Sequence, residues 1–438
     1  MFDLSAIMSC LTICLDTTTL ARLSVIVPAM LAMTGRVTML GISRWAEEGG
    51  SYRTVQRFFN TAIEWEKVHW CFFCHCFSHI GGVFIIAIDE TVITKAGWKT
   101  YGLDRFFSSI YGKPVRGLSF YAISLVSTKW RISFPIMVKQ VIRSEEELNQ
   151  KEQKDSESKK KRGRGRPKGS TNTNKADVEL PPYLCSIQSM LKKVQSLIGT
   201  TISIKYAVLD GAFGNNNAVQ MVLRCHMHII SKLKRTSALY FPYTGPYSGR
   251  GAKRKYGDKL DYNNIPRKYL RETTIEEWIR AEIYQMTMLS KSFARKLNVV
   301  IIVKTNLKTG ARTHVILFSS DPDLDYAKLI DYYKLRFQIE FNFRDAKQYW
   351  GLEDFMNVTE IPIDNAVNLA FFMVNVSHAL IAGVRRYNPS FSVQDLKAYF
   401  RGSRYVRETL KLLPQKPDPI LIQEIFYRIT KIGSINVG

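Results

Sequence analysis

Four residues late in the chain put an acid, two bases and a phenol on one short stretch: Tyr333, Arg336, Glu340 and Lys347. Their offsets are 0, 3, 7 and 14. At roughly 100° per residue they fall within about 60° of one another on a single helical face. The segment from Tyr332 to Lys347 has neither Gly nor Pro and reads as one continuous helix. Such a face is either a solvated stripe, where each i,i+4 pair contributes a few tenths of a kcal/mol, or one wall of a site. Asp345, at offset 12, lies about 120° from Tyr333 and is off that face.

Two further acids stand out by place. Asp89 follows the apolar run Val83–Ile88, and Asp210 follows Thr201–Leu209. Apolar, β-branched runs of this kind read as buried strands, and active-site groups collect at the carboxyl ends of such strands in α/β folds. Each acid alone serves equally well as a cap or turn residue. The three together, Asp89, Asp210 and Glu340, make an oxygen-only donor set suited to Mg²⁺ or Mn²⁺. Two such ions ~3.5–4 Å apart clamp the attacking and leaving oxygens of a phosphodiester. Cations also explain why like charges would gather at one point.

The elements that must position these groups alternate in type. The first strand is followed by two more strand-like runs, Leu118–Val126 and Arg131–Val141, with a turn at Ser127–Lys129 between them, the order of a three-stranded antiparallel meander. Helices are expected at Pro182–Leu197 and from Ala218 to Arg224, with a strand at His228–Leu233. Residues 236–320 read as a β-rich insert with a basic edge at Lys253, Arg254 and Lys255, and with strands Val299–Val303 and Thr313–Phe318 around a hairpin at Asn306–Gly310. The apolar run Asn365–Ile381 reads as a core helix, and the last fifty residues as small helices.

Residues 1–80 read as mostly helical. Gly49 and Gly50 would end one helix and Ser51 would cap the next. That second helix carries Arg53, Gln56 and Arg57, which suits either a helix-turn-helix that reads DNA or an ordinary helical hairpin with a basic surface. Glu145–Asp177 is almost wholly polar, and seven of the ten residues Lys159–Lys168 are basic, so 144–180 reads as a disordered or loosely ordered insert. Within it, Arg162–Ser170 resembles an AT-hook, in which Arg164, Arg166 and Lys168 would enter a narrow minor groove; a generic basic tether is the other reading.

Composition agrees with a polyanionic partner. The 438 residues suffice for two or three domains, and 46% hydrophobic with 12% aromatic content belongs to a globular chain. Lys and Arg number 62 against 38 Asp and Glu, a net charge of +24. A surplus of that size favours nucleic acid first and an anionic membrane surface second. In the apolar start, Asp3, Asp16, Arg22 and Pro28 break every run short of a spanning helix, and no secretory signal is legible; no membrane is expected and the cytoplasm, or the nucleoid in it, is the expected location. Seven cysteines are an odd number, against a disulfide framework. The cluster between His69 and His79 is read as buried reduced thiols on a core helix, with zinc the lesser alternative.

The residues now carry a resemblance. Asp89 in Ile-Asp-Glu-Thr, Asp210 in Leu-Asp-Gly-Ala-Phe-Gly, and Tyr333-x2-Arg336-x3-Glu340-x6-Lys347 are similar to the DDE transposases of prokaryotic insertion sequences, the last pattern matching that group's YREK signature at all four positions. The resemblance spans roughly 40–380 and implies an α/β fold: a ribonuclease H-like catalytic core, a β-rich insertion and a helical N-terminal DNA-binding region. The implied layout is 1–80 for the helical region, 81–235 for the first part of the core (with the basic insert 144–180), 236–320 for the insertion, 321–385 for the core's completion and 386–438 for a helical tail. It further implies that Asp89, Asp210 and Glu340 hold two divalent metals, and that Tyr333, Arg336 and Lys347 contact phosphates near the cleaved terminus. A homodimer would act on double-stranded DNA, at terminal inverted repeats and at target, by 3′-end hydrolysis and then attack of the 3′-OH. A flipped base would be held against an aromatic residue, for which Trp98 and Trp350 are the candidates beside ordinary core packing.

Overall fold

A computed structural model describes residues 2–108, 111–143, 174–247 and 249–436. Arg164, Arg166 and Lys168 lie outside the described residues, as does the rest of the AT-hook-like segment.

The spine is strand β1 (Phe84–Thr94), whose apolar start, Phe84–Ile88, is buried throughout. It pairs antiparallel with β3 (Lys113–Ser127), from Phe84 opposite Ser127 to Thr94 opposite Gly117. On its other edge it pairs parallel with β5 (Ile204–Val208), but only as far as Ala87 opposite Val208. The outer edge of β3 is shared by β2 (Asp104–Ser108) and β4 (Ile132–Gln140). Strand β5 pairs parallel with β6 (His228–Leu233). The expected end of the first strand at Ile88 is therefore corrected: β1 continues six residues further, because β3 still offers it a partner after β5 has turned away. Asp89 sits where the parallel pairing stops, not where the strand stops.

The β-rich stretch expected at 236–320 extends this same sheet. Strand β12 (Arg312–Ser319) pairs with β6, and the ladder runs on through β11 (Leu297–Asn306), β10 (Ile279–Met288) and β9 (Leu270–Glu276), ten strands with β4 counted. The hairpin between β11 and β12 is closed by Asn306, whose side chain accepts from the Lys308 and Thr309 N–H groups, and by Gly310 at φ +70°. Strands β7 (Tyr240–Pro242) and β8 (Tyr256–Lys259) form a separate two-stranded sheet.

Helices cover the sheet. Among the N-terminal ones, α1 (Leu4–Met8), α2 (Thr17–Ala32), α3 (Met39–Trp45) and α4 (Tyr52–Phe59) precede α5 (Trp65–Phe77), which packs on β4. The turn between α3 and α4 needs both its glycines: Gly49 has φ +85°, and a Cβ on Gly50 would lie 2.0 Å from that of Ala46. Ser51 caps α4 by accepting from the Thr54 N–H, as its place after the glycines suggests. Helices α6 (Pro182–Ile198) and α7 (Asn216–Leu223) follow the basic insert and β5. The long helix α10 (Glu360–Arg385) is the one described helix long and apolar enough to cross a membrane, yet 72% of its apolar window is buried inside the protein. It packs on β4 and α5, as a core helix does. The α5 thiols, expected to be buried, are half-buried and lie near Cys10 and Cys14 of the N-terminal segment; burial pushes Cys74 up to about 11 and Cys76 to about 12.

Near the C-terminus, α11 (Val393–Leu412) and α12 (Pro419–Ile429) close the chain. Asp395 completes a capping box with Ser392 and also accepts from the N–H groups of Ile435 and Asn436 at 2.6 and 3.1 Å. Burial pushes its pKa up, but the bonds from Asn436 and Ser392 outweigh this and hold it at about 2. The folded value lies below the unfolded one of about 3.9, so the stabilisation is complete above about pH 4 and is lost as pH falls toward 2. Asp395→Asn is expected to lower the unfolding free energy by roughly 2.5 kcal/mol at pH 7, read by urea denaturation, with the difference shrinking toward pH 2.

Candidate active site

The stretch carrying the four signature residues is two helices rather than one. Helix α8 runs Tyr326–Leu335 and α9 runs Gln338–Tyr349. Between them Arg336 and Phe337 keep right-handed helical angles, but the hydrogen bonds shorten their span: Phe337 N–H donates to Lys334, Ile339 N–H to Arg336 and Glu340 N–H to Phe337. These i→i+3 bonds tighten one turn into 3₁₀ geometry. No Gly or Pro marks the place, so tertiary contact overrides propensity here. That contact is the Arg336 side chain.

Arg336 Nη1 donates to Asp89 Oδ2 at 2.8 Å, and Nη2 donates to Glu340 Oε1 at 3.1 Å. The guanidinium is 14% exposed and bridges a strand and a helix that are 247 and 4 residues away from it in sequence. Burial pushes the Asp89 carboxyl up to about 6; the Arg336 charge and the Glu90 N–H pull it back, while the Asp210 and Glu340 carboxylates push it further up. Asp210 thus shares the same local field. It follows β5 and caps a short 3₁₀ turn, Gly211–Phe213, by accepting from the Ala212 N–H at 3.0 Å. Tyr333 lies beside them, its phenol pushed up by burial and pulled back by Arg336.

Two anchors hold the acid-bearing elements. Asn342, 2% exposed, donates from Nδ2 to Ser133 Oγ at 2.8 Å and to Ser124 Oγ at 3.2 Å, fixing α9 on β3 and β4 two residues from Glu340. Ser231 Oγ on β6 donates to the Asp210 carbonyl at 2.6 Å. Sequence reading passed over both. The legible sign of the first was an amide among Phe and Ile on the buried side of α9. The turn after Asp210 also runs close to β6: a Cβ on Gly214 would lie 2.2 Å from the Lys232 carbonyl oxygen. Gly214→Ala is expected to destabilise by 1–3 kcal/mol, about the cost of overpacking, and to lower any activity that depends on Asp210; denaturation beside a cleavage assay measures both.

Other expected contacts lie elsewhere. Lys347 Nζ donates to the Val92 carbonyl at 3.1 Å and pairs with Glu353 at 3.0 Å, three residues along β1 from Asp89. Trp350 is 1% exposed with Lys397 over its ring, so it is core and not a surface for a base. Trp98 is 85% exposed and stacks on Arg116 at 3.9 Å, lining an open cavity of about 480 Å³ with Thr100, Asp104 and Arg105. Arg53, Gln56 and Arg57 are exposed on α4, opposite Val55, Phe58 and Phe59, which enter the core. Lys253, Arg254 and Lys255 are exposed just before β8; Arg254 lies over the Tyr243 ring at 4.7 Å and Lys255 over Tyr256 at 6.0 Å.

The donor chemistry of Asp89, Asp210 and Glu340 fits a hard divalent cation. In this arrangement Arg336 supplies the positive charge between two of them, and among the described residues no three His, Cys, Asp or Glu side chains stand close enough together to hold a metal ion. Loading would therefore require the guanidinium to yield its two carboxylates.

No curated protein matches the chain significantly. A family profile described as DDE superfamily endonuclease matches residues 10–290, well over half of the 438, and takes in Asp89 and Asp210, with Glu340 beyond the matched span. A strand acid and a helix acid drawn to one half-buried arginine, with a third carboxylate in the same field, is an arrangement in keeping with that match, and the chain belongs to the DDE superfamily endonucleases.

Proposed function

We propose that the chain is a cut-and-paste DNA transposase of the YREK group of prokaryotic insertion sequences, cleaving transposon ends and joining them to target DNA. The observation that carries this is the bridge from Arg336 to Asp89 and Glu340, which unites the first acid of the signature set with the last. The strand order β4–β3–β1–β5–β6, antiparallel up to β1 and parallel after it, supports reading the core as ribonuclease H-like. Asp89, Asp210 and Glu340 are the metal-holding, catalytic acids. Mg²⁺ or Mn²⁺, two ions per site, supplies charge to the attacking and leaving oxygens of the phosphodiester when bound.

This chain's own residues do the rest. Arg336 yields its carboxylates and turns to the phosphate, and Tyr333 hydrogen-bonds beside it. Lys347, now paired with Glu353, adds a second cation along β1. Exposed Arg53, Gln56 and Arg57 on α4 read the terminal repeat as the second helix of a helix-turn-helix, and the N-terminal region 1–80 serves as the DNA-binding region. Lys253, Arg254 and Lys255 hold flanking phosphates from the insertion 236–320. Trp98, exposed and already stacked on a guanidinium, offers a face for a flipped base. A homodimer pairs two ends, and the work is done in the cytoplasm, at the nucleoid.

The test is a joining assay with duplexes ending in the inverted repeats that flank the gene. With Mg²⁺, precleaved ends should be transferred into a target plasmid. A junction-cutting nuclease of the same core would cut branched DNA and give no transfer products, and that result would overturn the proposal.

A further inference from the structure

The parallel strands beside Asp89 carry a third group that the signature residues do not include. Ala87 of β1 lies opposite Val208 of β5, and Val208 lies opposite Ile230 of β6. Two residues further along each strand direction come Asp89, Asp210 and Lys232. Asp89 and Lys232 continue their own strands, while Asp210 lies just past the end of β5 at the start of the 3₁₀ turn, so the three gather at the carboxyl end of the parallel strands. The paired residues behind them, Ala87, Val208 and Ile230, are all fully buried, whereas Asp89 and Asp210 are half-buried and Lys232 is exposed.

Lys232 is exposed, and its stem lies against the turn after Asp210: its Cε is 3.1 Å from where a Cβ on Gly211 would be. The absence of a side chain at Gly211 is what lets the lysine lie there. Among the described residues its ammonium has no hydrogen bond, ion pair or ring contact, although Asp210 is the residue next to Gly211. Lys234, just past the end of β6, is also exposed, and among the described residues its ammonium is likewise unpartnered. Arg336 and Lys347, by contrast, are engaged with carboxylates. A lysine held beside acids yet left unpaired is poised for an anion that arrives from outside.

We infer that Lys232 is a substrate-contacting residue that binds a phosphate of the DNA strand at or next to the scissile bond, from the β6 side of the site, with Lys234 continuing the track toward the insertion. This rests on the transposase reading for the identity of the DNA, but not for the contact itself. The strand would then be gripped from two sides, by Arg336 from the helix side and Lys232 from the sheet side, with the acids between them. A flexible ammonium suits that place, since it can follow a phosphate that moves between cleavage and joining.

The experiment uses the full chain and inverted-repeat duplexes that carry one neutral methylphosphonate at each backbone position in turn. Binding is read by fluorescence anisotropy in EDTA, so that no turnover is needed. One position, at or adjacent to the scissile phosphate, should weaken wild-type binding about tenfold and leave Lys232→Ala unaffected, with Lys232→Arg restoring the wild-type pattern. At saturating DNA with Mg²⁺, Lys232→Ala should cleave at least about tenfold more slowly. Equal losses for wild type and Lys232→Ala at every methylphosphonate position would overturn the inference. Wild-type protein that binds but never cleaves would instead count against the transposase reading while leaving the binding result to decide on Lys232. Lys232→Gln, which keeps the stem against Gly211, separates loss of charge from loss of packing.

Discussion

Replacing Glu340 by Gln, or either aspartate by Asn, should reduce Mg²⁺-dependent cleavage of end DNA by at least about a thousandfold, with the fold retained. The expectation follows from the sharing of one field by Asp89, Asp210 and Glu340 and of one guanidinium by two of them. The three losses should not add: a double variant such as Asp89→Asn with Glu340→Gln should be no worse than either alone, because each removes a unit that works only when complete. Single-turnover cleavage measures the effect, and circular dichroism checks the fold. Wild-type rates in all three single variants would remove these residues from the chemistry altogether.

The largest expected effect on stability is far from the acids. Asn365, 1% exposed on α10, accepts from Trp65 Nε1 at 2.7 Å and donates to the carbonyls of Phe59 at 2.8 Å and Thr61 at 2.7 Å. It closes the end of α4 and the turn after it from outside, taking the last helical carbonyl, that of Phe59, and the Thr61 carbonyl beyond the helix. Asn365→Leu would keep the volume but strand a buried indole N–H, the buried Phe59 carbonyl and the half-buried Thr61 carbonyl, at a cost of about 1–3 kcal/mol each less whatever water recovers. A net loss of about 3–5 kcal/mol is expected in chemical denaturation. Because α4 carries Arg53, Gln56 and Arg57, sequence-specific DNA binding should weaken in this variant at temperatures where the sheet is still folded.

Much of the frame was legible because burial writes itself into composition. The runs around Ile85, Ala207 and Ile230 are apolar on both faces, and each is a strand in the sheet. Ser51 after two glycines was legible for the same local reason, a cap following a break. What the residues did not announce is set by partners distant in sequence. Glu90–Thr94 stays extended because β3 is alongside; Thr91, Val92, Ile93 and Thr94 are β-branched and suit a strand, but the acids Asp89 and Glu90 hid that continuation behind an apparent strand end. The tightened turn at Arg336 answers an aspartate 247 residues away. The three acids were readable as three, but Lys232 joins them only because β6 runs against the turn after Asp210, which no spacing along the chain encodes.

The pairing of β12 with β6 has a mechanical meaning. Backbone ladders join every strand from β9 to the strand that carries Asp89, with no flexible joint between them. A pull on the outer strands is carried sideways through the sheet to the residues that flank Asp210, so the outer half behaves as a fixed arm and not as a swinging lid. Helices α8 and α9 reach that sheet through side chains: Asn342 holds α9 on β3 and β4, and a change of partner at Arg336 would leave both this anchor and the sheet as they are.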